Sequence, residues 1–404
     1  MLVPSRNTTF LFVFIAAAIL LITSGIRLSL GLFVNPIATQ SDISIVDLSF
    51  ALAMTQLMWG VSQPITGALA DRFGARWVIC GGTILLAVAC ALVPLLLTPL
   101  GLVFTLGILL AFGAGAGSFS VLMGQVANNI SPQYRGTASG IINAGSSFGQ
   151  FLFAPLLQSL IVSQYFGWQG AMYSLALISL ICLPLGFLLT RKNSLTPPPA
   201  HSEMQQSLGQ VVKFALKDRS YWLIHIGFFT CGFHIAFLVT HLPTEIILAG
   251  LKSNVASWSL ALIGLSNVIG SLIVGWCVGH FRSKYILFWM YLSRTLLIGF
   301  FLLAPKNALT FYIFAISLGL TWLATVPPTA AAVGKLFGVR YLATLFGLTL
   351  LSHQIGGFFG AYLGGLAISK LGDYQWMWYA DMVLALLAAV LNLPIREEKI
   401  VKAK

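Results

Sequence analysis

Apolar runs long enough to cross a bilayer follow one another from Phe10 to Leu393, parted by short turns rich in Gly, Pro and charge. A helix needs about 20 such residues to span the hydrocarbon core. With 58% hydrophobic and 8% charged residues among 404, against about 25% charged in a soluble globular domain, the chain reads as an all-α membrane protein with no room for a large soluble domain. Twelve spans can be drawn, at 10–33, 48–70, 77–97, 101–127, 137–162, 169–190, 221–247, 256–279, 285–304, 309–333, 341–369 and 375–393. The first run is longer than a signal-peptide core and no small-residue cleavage site breaks it, so it is expected to remain as the first helix.

A formal net charge of +12 would suggest nucleic acid in a soluble protein, but here the cations sort by loop. One set of connections holds Arg72, Arg76, Arg135, Arg191, Lys192, Lys213, Lys217, Arg219, Arg282, Lys284, Lys335 and Arg340, with a charged tail from Arg396. The opposite set holds only Lys252, Lys306 and Lys370. That is the positive-inside pattern; it predicts both termini in the cytoplasm, a lipid bilayer as surroundings and no nucleic-acid partner. The cysteines Cys80, Cys90, Cys182, Cys231 and Cys277 all lie in apolar runs without CxxC spacing or His pairing. They read as small buried side chains, and no metal site is expected.

The longest polar stretch, RKNSLTPPPAHSEMQQSLGQVVKFALKDRS, carries the only proline run outside a span and divides the chain into a six-span bundle (1–190), a linker (191–220) and a second bundle (221–404). Ser207 to Asp218 reads as a short amphipathic helix on the membrane surface, with Lys213 and Lys217 toward headgroups. The bundles also repeat. Gly25, Arg27 and Pro36 of span one return as Gly232, His234 and Pro243 of span seven, each shifted by 207 positions. The same shift carries Gly140, Ser146 and Gly149 onto Gly347, His353 and Gly356, and GALADRFGAR after span two finds a degraded copy, GWCVGHFRSK, after span eight. Internal repeats of this kind are a mark of secondary transporters.

Gly67, Asp71, Arg72, Gly74 and Arg76 match the signature GxLaDrxGrr between spans two and three, and with twelve spans around it the chain resembles the major facilitator superfamily over essentially its whole length. The resemblance implies two pseudo-symmetric six-helix halves, a central cavity lined by spans one, four, seven and ten, and a latch on one side in which Asp71 pairs with a neighbouring Arg. GIRLSLGLFVNPI, LMWGVSQPITGALADRFGAR, CGFHIAFLVTHLP and LFGLTLLSHQIGGFFGAYLGG are similar to stretches of bacterial monocarboxylate porters and oxalate:formate antiporters, which implies a bacterial inner-membrane location. Better-known monocarboxylate porters place an arginine in span eight, where this chain has Asn267 and Ser271; a substrate-binding arginine would then come from another helix. Span four contains no Arg, and span five reads GSSFGQ where drug:proton antiporters show GPxxGG.

Within the spans the ionisable residues are Arg27, His225, His234, His241, Glu245, Arg294, His353 and Asp381, and each requires a partner or a wet cavity. Arg27 cannot lose its proton, and its guanidinium forks to fit a carboxylate. His234, its repeat-mate, is expected across the cavity, where it could bond substrate and carry a proton. On the resemblance, His353 adds a second anion contact, shaped by Ser352 or Gln354. His241 and Glu245, at i, i+4, could form a gate or proton-entry pair. Arg294, on a peripheral span, is expected to form a structural ion pair with Asp381. Gln56, Trp59, Gln63, Asn143 and Trp322 complete the expected pocket, and the prolines of VPP at 326–328 are expected to bend span ten.

No phosphate loop, HExxH or GxSxG occurs, so neither ATP-driven transport nor hydrolysis has support, and no cofactor is expected. The expected protein is no enzyme but a monomeric secondary carrier of small organic anions, monocarboxylates before others, coupled to protons or to exchange. The competing readings are an exporter of amphiphilic or drug-like compounds and a transporter-like sensor.

Overall fold

A computed structural model describes residues 6–127, 135–190, 208–338 and 342–397. Among these the chain is helical, and the helices group into twelve spans. Span one runs Arg6–Leu28, tightens through the 3₁₀ turn Leu30–Phe33 and resumes as Val34–Gln40. Spans two and three are Ile45–Phe73 and Ala75–Leu92. Span four opens at Pro99–Leu102, widens into a π turn over Val103–Leu110 and continues through Ala111–Ala116 and Phe119–Ala127. Span five is Arg135–Ile161, and span six joins Gly167–Ser179 to Cys182–Leu189. Spans seven to nine are Arg219–Leu248, Ser253–His280 and Ser283–Leu303. Span ten comes in two pieces, Ala308–Gly319 and Val326–Phe337. Spans eleven and twelve are Leu342–Leu371 and Gln375–Asn392. Eight of these segments are long and apolar enough to cross a membrane by length and composition alone.

The prolines of VPP do not bend a continuous helix. They occupy the first turn of Val326–Phe337, where a missing N–H costs nothing because no partner was due there, and the chain between Gly319 and Val326 is left out of helix. The linker up to residue 207 lies outside the described residues. The helix expected after it is present as Leu208–Ala215, but Val211 and Val212 pack against a cluster that includes Tyr221, Ile224, Ala332 and Leu336. Its apolar face is therefore occupied by protein rather than lipid. Asp218 then caps span seven, its Oδ1 accepting from the Ser220 and Tyr221 amides, and Arg396 bonds its other oxygen at 2.6 Å.

The repeated glycines do the same work in both halves. A Cβ on Gly149 would overlap the Leu21 carbonyl, and one on its repeat-mate Gly356 would overlap the Phe229 carbonyl. Spans one and five, and likewise seven and eleven, thus pack backbone against backbone, as small residues allow in membranes.

The halves meet on the side of the charge-poor loops. There Gly31 lies under the Val239 carbonyl with no space for a side chain, Asn35 Nδ2 donates to Thr244 Oγ1 at 3.1 Å, and Phe50 packs edge-on against Phe358 and Tyr362. Near mid-depth a Cβ on Gly60 would come within 2.6 Å of Gln354 Cβ, and Asn267 Nδ2 reaches Ser147 Oγ at 2.6 Å. Toward the basic face Gly67, Gly140, Gly275 and Gly347 would meet nothing within 4 Å. The two hydrogen bonds described between the halves lie at mid-depth and on the charge-poor side, and the open space at Gly67, Gly140 and Gly347 lies toward the basic face.

In a background without the native cysteines, Asn35→Cys with Thr244→Cys is expected to cross-link on mild oxidation. Adding Gly31→Val should lower the cross-linked fraction on a denaturing gel, because the new side chain has to push Val239 away.

Candidate functional site

Arg27 sits where span one ends its first helical segment. The next residues leave helical geometry, with Ser29 at φ −108° before the 3₁₀ turn, and a cation is favoured at such a C-terminus. Its Nη1 donates to Gln56 Oε1 at 2.9 Å and its Cζ lies 4.1 Å from the centre of the Trp59 ring. Both partners are neutral and both belong to span two. The residue is 6% exposed, and none of the three ion pairs among the described residues includes it. Nearby polarity is incompletely used: Gln63 Oε1 accepts from Ser120 while its Nε2 has no partner, and Asn143 Nδ2 has none either.

His234 faces an acid. Its Nδ1 is in short contact with Asp381 Oδ2 of span twelve, and the two residues are 1% and 0% exposed. The expected pairing of Arg294 with Asp381 is therefore corrected. Arg294 Nη2 donates to the carbonyls of Thr321 at 2.5 Å and Trp322 at 2.7 Å, and Nη1 reaches Cys231 Sγ at 3.5 Å. The reason is the break in span ten: carbonyls beyond Gly319 have lost their helical donors, and in hydrocarbon they must find others. A guanidinium with several donors on one plane satisfies two at once. Trp322, expected as pocket lining, is fully buried, with its ring edge-on to His234 at 5.7 Å between centres.

The other histidines divide. His353 Nδ1 is 3.0 Å from Gln354 Nε2 and its ring packs on Phe228; Gln354 Oε1 is buried without a partner. His225 bonds Ser352. His241 gives both ring nitrogens to span eleven and the loop after it, to the Ala361 carbonyl at 2.6 Å and the Tyr374 hydroxyl at 3.1 Å. It does not pair with Glu245. Glu245 lies instead within electrostatic reach of Lys306, whose ammonium is pushed down by burial and drawn back up by that carboxylate. The spacing i, i+4 permits a pair, but Gly364 brings span eleven close enough to take the ring first: a Cβ there would overlap it.

The Asp71 and Arg72 side chains lie outside the described residues. Gly74 has φ +88°, a backbone conformation that glycine adopts at no steric cost, and no neighbour crowds Gly67. Arg76 stays in its own half, binding Thr190 Oγ1 at 3.0 Å and the Thr190 carbonyl at 3.1 Å. In span eight, where the monocarboxylate porters carry an arginine, Asn267 makes two bonds, to Ser147 and, through Oδ1, to the Leu323 amide at 2.9 Å. The partnership of Asp381 with His234 escaped sequence reasoning; its one signal was an acid on an otherwise apolar span twelve.

Twelve spans in two repeated halves, which meet on the side of the charge-poor loops, describe a carrier that works by rocking its halves. The chain belongs to the Major Facilitator Superfamily, whose profile matches residues 9–360 and again 249–404; it is a secondary transporter and no enzyme. An uncharacterized MFS-type transporter of Bacillus subtilis, YcxA, is 25% identical over 387 residues, covering 91% of this chain and 90% of its own. Monocarboxylate transporter 13 of Rattus norvegicus is 25% identical over 87% of this chain and 80% of its own. The oxalate:formate antiporter of Oxalobacter formigenes is 22% identical over 89% of this chain and 84% of its own. A crystal structure of a D-xylose-proton symporter superposes with a TM-score of 0.74 over 97% of this chain and 99% of that one, at 14% identity, a likeness of fold alone.

Replacing Arg294 by Leu strands the Thr321 and Trp322 carbonyls; at about 1 to 3 kcal/mol for each buried group left unmade, the variant is expected to unfold several degrees below the wild type in detergent, measured by scanning fluorimetry.

Proposed function

We propose that the chain carries small organic anions, monocarboxylates before dicarboxylates, across the bacterial cytoplasmic membrane as a monomer, coupled to protons or to exchange. Arg27 carries the reading. A permanent cation with 6% exposure, held by one neutral amide and one ring face, is electrically unanswered among the described residues, and a carboxylate is the ligand whose shape and charge answer it. His353 and Gln354, on the span that packs against span seven, supply a second polar contact, with Asn143 at the margin. The monocarboxylate and oxalate:formate relatives are both named for carboxylates.

With the basic face in the cytoplasm, as the loop charges suggest, the open space at Gly67, Gly140 and Gly347 would face inward. Opening the other way would bring the signature loop, Asp71 and Arg72 with Gly67 and Gly74, toward the second half as a latch. An exporter of cationic compounds is less well supported, since it needs an unpaired acid, and Asp381 is engaged by His234.

Purified protein screened by thermal shift against acetate, pyruvate, lactate, oxalate and succinate is expected to be stabilised by the monocarboxylates. Stabilisation by the dicarboxylates alone would move the substrate class to the oxalate type. Arg27→Ala is expected to abolish both that shift and pyruvate uptake into proteoliposomes, and Arg27→Lys to weaken uptake about tenfold, since a point charge loses the fork; normal uptake by Arg27→Ala sinks the reading.

A further inference from the structure

We propose that the His234–Asp381 pair is the proton-binding site of this carrier, taking up one proton for each carboxylate bound near Arg27. The proposal rests on that anion-carrier reading and adds what balances the charge.

The geometry sets the tautomer. An ionised Asp381 only accepts, so the Nδ1 of His234 that touches it carries the hydrogen and the lone pair stands on Nε2. That Nε2 is buried with no partner, and so is the second carboxylate oxygen, Oδ1. A pair this deep, with one bare basic nitrogen, has one open position for a proton: an N–H bond forms at Nε2 with a proton given up by hydronium from the acidic side, leaving water, and its loss to water on the other side reverses the step. The carboxylate beside Nδ1 stabilises the imidazolium that results, as a buried acid does for a histidine base. Span seven places His234 beside Trp322 at the break in span ten, so the nitrogen lies where one of the cavity-lining spans has no regular helix.

The charges around the pair can be followed on every neighbouring span. Span nine brings Arg294 and Tyr291, span seven Cys231, span eleven His353; span ten contributes Trp322, which does not titrate. Arg294 is tied to Cys231, one turn before His234, and to the Trp322 carbonyl. Arg27 and Arg294 each contribute a fixed positive charge, and the unprotonated pair one negative. Empty, the centre carries a single net positive charge. With a monocarboxylate on Arg27 and a proton on the pair it carries the same. Empty and loaded forms then cross with the same net charge, so a transport cycle moves no charge across the membrane, whereas an unprotonated pair with a bound anion, or a dicarboxylate with one proton, is neutral and its cycle would move one charge. Glu245 and Lys306, near the charge-poor end, lie close to one another and leave the count unchanged.

The test uses the full chain in liposomes with radiolabelled pyruvate. For the wild type, a pH gradient, acid outside, is expected to drive accumulation, while a potassium-valinomycin potential alone drives none; uptake driven by the potential overturns the charge balance. His234→Gln and Asp381→Asn are expected to keep pyruvate counterflow, which needs no proton release, and to lose gradient-driven accumulation by about tenfold. Accumulation at the wild-type level in either variant overturns the assignment. Loss of counterflow in one variant leaves the other to test the pair; loss in both, with folded protein by size exclusion, overturns the assignment, since the pair then serves binding or movement rather than coupling. Wild-type vesicles without any pyruvate counterflow speak against the carboxylate reading itself, a separate failure.

Discussion

Hydrocarbon gives a charged group nothing to bond with, and the centre of this transporter is organised around that constraint. Each buried ionisable side chain is met in its own way. Arg294 bonds the carbonyls that the broken span ten exposes; His234 and Asp381 answer one another; Glu245 lies toward the charge-poor end near Lys306. Arg27 alone of the central cations has only dipoles and an aromatic face. In the proposed anion site, one position left unsatisfied amid satisfied ones gives selectivity, because a ligand of the wrong sign finds no other group to match.

The second dependence is on close backbone approach. Glycines at corresponding places in both halves let spans one and five, and seven and eleven, touch along their main chains, so each pair behaves as one stiff unit. Opening and closing are then left to the contacts between the halves, among them span two against span eleven, span five against span eight, Gly31 beneath Val239 and the Asn35–Thr244 bond, which have to be exchanged as the halves move.

Much of this was legible in the sequence, and what was not has physical causes. The apolar runs, the loop charges and the 207-residue repeat announce the fold, since each is a direct consequence of solvent and symmetry. The interest of Arg27 and His234 follows from that repeat, and Gln56 and Trp59 are the neutral residues that Arg27 meets. Asp381 has no repeat-mate to draw attention to it, and sequence spacing cannot say which of two basic residues on other spans will reach an acid first. Arg294 was misread because its partners are backbone carbonyls, invisible in residue types; VPP flagged an irregularity in span ten without showing that the helix stops before it. His241 and Glu245 were joined by spacing alone, and a glycine on another span, Gly364, decided otherwise.

Asn267 shows where such a molecule concentrates its mechanical stress. One amide binds Ser147 across the divide between the halves and, from its other end, the Leu323 backbone within the gap of span ten. A side chain so short leaves little slack: a shift of Ser147 with its half has to be met by breaking the Asn267 bond or by moving the loop at Leu323, whose neighbouring carbonyls Arg294 holds. The residue thus joins one half to the broken helix of the other through a single amide, so the two irregularities of the centre, the divide and the gap in span ten, share one hydrogen-bonded bridge.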